Sequence, residues 1–173
     1  MEPTEHRADL AARGVTSSGT NLVNLACFEV KGRVYALDVA HVREIVRTQE
    51  ITPLPMSPAL IEGVVELRDG VVPVIDLGRA LGGDPCEVSD KARIAVLEMD
   101  GLVMGLLVER ASDVLSLDAQ ALEDPPSLAT QAGYEAVRAV VRRPEERPVL
   151  VLSLDHILES VYRSQLSSQG NPS

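Results

Sequence analysis

The sequence predicts an all-β protein built from one unit used twice. Three observations carry this: short Val-, Leu- and Ile-rich runs broken by glycine and proline, very few aromatic residues, and a two-strand pattern that recurs further along the chain. Aliphatic, aromatic-poor runs suit strands packed by branched side chains.

The recurrence fixes the elements in order. LACFEVKGRVYALDVAHVREIV, from Leu25, aligns without a gap on IAVLEMDGLVMGLLVERASDVL, from Ile94. Glu29 falls on Glu98, Gly32 on Gly101, Val34 on Val103, Leu37 on Leu106, Val39 on Val108, Glu44 on Asp113 and Ile45 on Val114. Each copy reads strand, two-residue turn, strand, then an acid ahead of aliphatics. Lys31-Gly32 and Asp100-Gly101 are the turns, and Asp-Gly supplies the positive φ angles of a type I′ hairpin.

Each copy then passes a proline-containing connector, TPLPMSP or DPPS, and closes with a second hairpin. The first, GVVELRDGVVPVIDL, is expected to turn at Asp69-Gly70. The second, AVRAVVRRPEERPVLVLSL, is expected to turn around Pro144 to Glu146. Pro73 cannot donate to a ladder, so its strand should lie at an edge or bulge. A brief helical piece follows each hairpin, GRAL in the first copy and DHILESVY in the second. In the latter, Leu154, Ile157, Leu158, Val161 and Tyr162 share a face, and Asp155 is placed to cap. Small barrel-like subdomains are expected rather than one open sheet, because closure hides strand edges.

The domain spans 22–163, with the two subdomains meeting at about 82–93. Residues 1–21 and 164–173 are polar, lack periodicity and read as disordered tails. A net charge of −10 and a pI near 4.7 exclude nucleic acid and a bare anionic membrane as partners. The N-terminus has no apolar signal region, and the run Leu102–Val108 is far too short to span a bilayer, so a cytoplasmic protein is expected. Cys27 and Cys86 fit no CxxC pattern and read as a buried small apolar residue and a loop thiol.

Chemistry is sparse. No phosphate loop is followed by lysine, and no G-x-S-x-G elbow occurs. His6, His41 and His156 share no metal spacing, so no metal, cofactor or catalytic residue is expected. The expectation is a non-enzymatic binder of other proteins.

Particular stretches narrow this. His41-Val42-Arg43-Glu44-Ile45, then Ile51-Thr52-Pro53-Leu54-Pro55, then Ile61-Glu62-Gly63-Val64-Val65-Glu66-Leu67-Arg68-Asp69-Gly70-Val71-Val72-Pro73-Val74-Ile75-Asp76-Leu77, and later Gly105-Leu106-Leu107-Val108-Glu109-Arg110-Ala111-Ser112-Asp113-Val114-Leu115, resemble the CheW family of chemosensory coupling proteins. The number, order and spacing of the pieces carry the resemblance, over about Leu25 to Tyr162. It implies two intertwined five-stranded SH3-like β barrels in tandem, with short helices, a C-terminal helix and a hydrophobic cleft between the barrels.

It also implies partners: the regulatory domain of a CheA-type histidine kinase, the cytoplasmic hairpin tip of a methyl-accepting chemoreceptor, and other CheW-like proteins in array rings. Recruitment from the cytoplasm to receptor arrays follows. Val42, Gly63, Gly105 and Val114 fall at receptor-binding positions, and the sheet carrying Val71, Val72 and Val74 is expected to face the kinase. Read from the residues alone, the valines also suit core packing and the glycines also suit turns. Glu44 and Arg68 match an acid and an arginine of the family pattern; they either pair, bracing the hairpin, or are separately solvated. Glu66 and Asp69 depart from the pattern's Asn and Gly, adding carboxylates beside Arg68 that bear on partner choice. Such departures point to a specialised pathway of motility or development. The alternative is a kinase-binding regulatory module that does not engage receptors.

Overall fold

The computed structural model describes residues 21–126 and 135–169, with side chains through Arg163. The expected N-terminal tail, apart from Asn21, lies outside the described residues. The chain runs β1 (Leu22–Val30), β2 (Arg33–Asp38), β3 (Val42–Arg47), β4 (Ile61–Leu67), β5 (Gly70–Asp76), α1 (Leu77–Ala80), β6 (Arg93–Met99), β7 (Leu102–Val108), β8 (Arg110–Asp118), β9 (Val137–Val141), β10 (Val149–Leu152) and α2 (Leu154–Gln169). The fold is all-β with two five-stranded sheets, ordered β9-β10-β2-β1-β8 and β3-β6-β7-β5-β4.

The duplication explains this order. Each copy gives its leading hairpin to one sheet and its remaining three strands to the other, so the copies are interlocked through parallel pairs β10–β2 and β5–β7. The segment near 82–93 therefore divides the copies but not the sheets. Matched details recur. Thr52 bridges Val64 along the outer edge of β4, and Glu123 bridges Val140 along that of β9. Asp76 Oδ1 accepts from the Arg79 N–H at 3.2 Å at the start of α1, and Ser153 Oγ accepts from the His156 N–H at 3.2 Å at the start of α2.

Neither sheet joins its first strand to its last by a ladder; curling does the closing. Leu25, Cys27, Ala36, Ala139, Val141, Val149 and Val151 form a buried cluster drawn from one sheet, which is possible only if that sheet wraps around them. The larger cluster includes the opposite face of that sheet (Ala26, Phe28, Tyr35, Leu37), the second sheet (Ile75, Ala95, Leu97, Leu106) and Leu154 and Ile157 of α2.

Five local expectations are corrected. The first-copy closing hairpin pairs Leu67 with Gly70, so Arg68-Asp69 is its turn and Gly70 begins β5. Inward alternation of Val65, Val72 and Val74 fixes that register. By contrast, Lys31-Gly32 and Asp100-Gly101 all have positive φ, as type I′ turns require. β5 is an interior strand despite Pro73, because the parallel ladder to β7 starts one residue later, at Val74. Ser153 rather than Asp155 caps α2, Tyr162 is exposed, and the helix continues past the expected end at 163 to Gln169. Propagation adds one bond per residue once a helix is nucleated, so polar Ser164–Gln169 extends it.

Candidate interaction surface

The kinase-facing expectation resolves by strand parity. Val72 and Val74 are 8% and 0% exposed and belong to the core, which corrects their assignment as contact residues. Val71, on the other face of β5, is 61% exposed. Leu102, at the start of the neighbouring parallel strand β7, is 48% exposed. Two exposed large aliphatics thus lie near the same end of two neighbouring strands of the second sheet. Leu102 was missed from the sequence, since a strand buried on both faces over most of its length shows no alternation to mark its wet end.

Around this pair the charges are arranged differently from expectation. Glu44 and Arg68 are both exposed, and no ion pair joins them among the described residues. Arg43 forms the contacts instead, with Asp69 at 3.6 Å and Glu98 at 3.8 Å. Arg43 is the extra residue of a β-bulge between Val42 and Glu44, which turns its side chain toward the hairpin tip. The surface is therefore a rim of Arg43, Glu44 and Asp69 around an apolar floor of Leu67, Val72, Val96 and Val103, enclosing about 220 Å³.

Three of the four receptor-position residues lie across the second sheet: Gly63 and Gly105 both pair with Val74, and Val42 pairs with Leu97, which is itself opposite Met104. Val42 is half-buried on edge strand β3, and Val114 is 60% exposed on β8, the edge of the other sheet. Gly63 and Gly105 are buried. A Cβ at Gly63 would lie 2.3 Å from the Thr52 carbonyl oxygen, and one at Gly105 would lie 2.8 Å from Ile94 Cγ2. Both glycines therefore serve close approach within the fold. Ile45, 42% exposed, occupies on β3 the place that Val114 holds on β8, and gives each edge strand one outward aliphatic.

Two carboxylates hold the scaffold. Asp76, 3% exposed, accepts from the backbone N–H groups of Arg79 and Cys86, fastening the loop after α1. Burial pushes the Cys86 thiol up to about 12, so it stays neutral and donates to the Leu107 carbonyl at 3.4 Å. Glu109 accepts from the Lys31 N–H at 2.9 Å and the Glu87 N–H at 2.8 Å, with the Lys31 ammonium at 3.7 Å. Partial burial opposes its ionisation, but the two amides and the ammonium outweigh this and hold the carboxyl below its ordinary range.

A depressed carboxyl contributes stability above the unfolded-state pKa and loses it as pH falls through the folded one. The stability gap between the native protein and Glu109→Gln should thus be on the order of 1–2 kcal/mol at neutral pH and vanish well below about pH 4. Urea melts across pH check this; a gap that persists in acid refutes the ionic contribution.

Among the described residues, no group of three His, Cys, Asp or Glu side chains is placed to hold a metal, and no helix is long and apolar enough to cross a membrane. The model of the CheW-like domain matches residues 24–162. Chemotaxis protein CheW of Rhizobium meliloti (strain 1021) is 30% identical over 88% of this chain and 96% of its own length. Protein FrzA of Myxococcus xanthus is 29% identical over 78% of this chain and 84% of its own. The crystal structure of the scaffolding protein TtCheW from Thermoanaerobacter tengcongensis superposes with a TM-score of 0.71 at 27% identity, covering 82% of this chain and 90% of that one. With a match that takes in both interlocked sheets, the chain belongs to the CheW-like domain family of chemotaxis scaffold proteins.

Proposed function

We propose that this chain is a non-enzymatic coupling scaffold. It links the regulatory domain of a CheA-type histidine kinase to the cytoplasmic hairpin tip of a methyl-accepting chemoreceptor, and is recruited from the cytoplasm to receptor arrays. The observation that carries this reading is the family match over residues 24–162, which takes in every described strand from β2 to β10 and nearly all of β1. Val71 and Leu102, with Arg68 at the adjacent turn, are the surface proposed to meet the kinase. Val114 and Ile45, with half-buried Val42, are proposed to meet the receptor. The similarity to FrzA and the unusual Glu66 and Asp69 support a specialised motility or developmental pathway. The enclosure of Gly63 and Gly105 favours a second reading, a kinase-binding module that does not engage receptors.

The test mixes the purified chain with its kinase and a receptor signalling fragment, measuring co-sedimentation and receptor-dependent autophosphorylation. Val71→Glu and Arg68→Ala change exposed positions, so melting should move by less than about 0.5 kcal/mol equivalent. Kinase affinity should fall at least about tenfold, or 1.4 kcal/mol. Unchanged affinity in both variants removes this end of the sheet as the kinase contact. Kinase binding with no receptor-dependent response selects the second reading.

A further inference from the structure

The duplication gives the molecule two equivalent barrel mouths, and only one is filled by its own side chain. Aligning Glu29 on Glu98 also places Cys27 on Val96, Val34 on Val103, Asp113 on Glu44 and Ser112 on Arg43. The structure bears out this alignment at the level of backbone geometry. Val42 and Glu44 flank the bulge on β3; on β8, Ser112 and Asp113 stand in the interval opposite Cys27, between the Phe28–Ala111 and Ala26–Val114 pairs. Arg43 and Ser112 are thus the same bulge residue in the two copies.

In the second sheet, Arg43 reaches across its mouth to Glu98 and to Asp69 of the closing hairpin, leaving about 220 Å³. In the first sheet, Ser112 is too short to do so and donates to the Cys27 carbonyl at 3.3 Å. A cavity of about 470 Å³ stands open there, floored by Val34 and Leu115 and walled by Glu29 and Asp113.

Its charge is uncompensated: four carboxylates (Glu29, Asp113, Glu145, Glu146) face two guanidinium groups, Arg143 and Arg147. Both arginines are engaged. Arg143 donates twice to the Arg147 carbonyl, at 3.1 and 2.9 Å, and pairs with Glu146 at 3.0 Å, while Arg147 donates to the Gly32 carbonyl. Arg110 lies opposite Glu29 in the ladder but outside the cavity lining, and forms no ion pair with it among the described residues. Glu29 and Asp113 are likewise in no ion pair among the described residues.

We infer that this cavity receives an arginine side chain from a partner protein, in the place that Arg43 occupies in the equivalent mouth. Guanidinium fits because it forks between carboxylates and is more weakly hydrated than ammonium, and its methylene stem suits the Val34–Leu115 floor. A polypeptide source fits because the filled mouth takes its arginine from a strand running along the rim. The inference stands on internal symmetry and is independent of the kinase and receptor assignments.

The test is an amide-resolved NMR titration of the full chain with N-acetyl-arginine methylamide, with the citrulline analogue as an uncharged control of matching shape. Saturable shifts at Cys27, Glu29, Val34 and Ser112, absent with citrulline, are expected. Asp113→Asn should weaken them severalfold. Ser112→Arg, which installs the missing side chain, should weaken them at least about tenfold, or 1.4 kcal/mol. Arg43→Ser should create a second set at Glu44, Val96 and Val103. Equal shifts from citrulline, no shifts at the cavity, indifference to both Asp113→Asn and Ser112→Arg, or no second set would each overturn the proposal. Much tighter binding of free L-arginine than of the blocked form would assign the cavity to the free amino acid and overturn the partner-protein source.

Discussion

Asp76→Ala is expected to cost about 3 kcal/mol, since two backbone donors lose a charged, buried acceptor. For a domain of this size that lowers the melting temperature by roughly 6–12 °C. The carboxylate is the one buried charged side chain among the described residues, and it takes the N–H groups of Arg79 and Cys86 at 3.0–3.2 Å. Alanine leaves both donors without that acceptor and frees the loop that presses on α1, where a Cβ at Gly78 would lie 2.3 Å from the Asp84 carbonyl oxygen. Asp76→Asn keeps one acceptor oxygen but turns an amide N–H₂ toward a donor, so an intermediate loss of about 1–2 kcal/mol is expected. Thiol labelling gives a second readout. Cys86, neutral and buried in the native protein, should react markedly faster in the alanine variant. Melting within about 1 °C of the native value, with unchanged labelling, would show that the loop is held by its other contacts.

The repeated hairpins, the order of connectors and the helix after each closing hairpin were legible in the residues, because each is a local signal of turn chemistry and short-range alternation; the residue that caps α2 was not. The exchange of hairpins between sheets was not. Glu29 on Glu98 shows that the two hairpins are alike, but nothing in either hairpin states which β3 or β8 it pairs with. Parity at Val71 to Val74 was hidden for a related reason. One face of β5 packs inside the curled sheet and the other between the sheets, so both are apolar. The Glu44–Arg68 pairing failed on geometry that no spacing displays: the bulge brings Arg43, not its neighbour, to the hairpin tip.

Gly63→Ala is the substitution whose result is easiest to misread. It should destabilise the chain by about 2–4 kcal/mol through overpacking alone, before any partner is considered. Gly63 sits in the bulge where β4 meets β5, with φ +155°, and its Cβ position lies 2.3 Å from the Thr52 carbonyl oxygen and 2.9 Å from Ile51 Cγ2. The Thr52 backbone is fixed there by reciprocal bonds with Val64, at 2.8 and 2.9 Å, so it cannot retreat without breaking them. The second copy supplies the control. Val140 is bridged by Glu123 as Val64 is by Thr52, which makes Ala139 the counterpart of Gly63, and there the methyl is buried at 5% exposure without displacing its connector. Ala139→Gly should therefore cost only about 1 kcal/mol, as a lost buried methyl and added backbone freedom. Amide exchange locates the damage: in Gly63→Ala the Thr52 and Val64 amides should lose protection first, while β6 and β7 keep theirs. If Gly63→Ala melts with the native protein, the Thr52 carbonyl yields at no cost and close approach is not what requires glycine there.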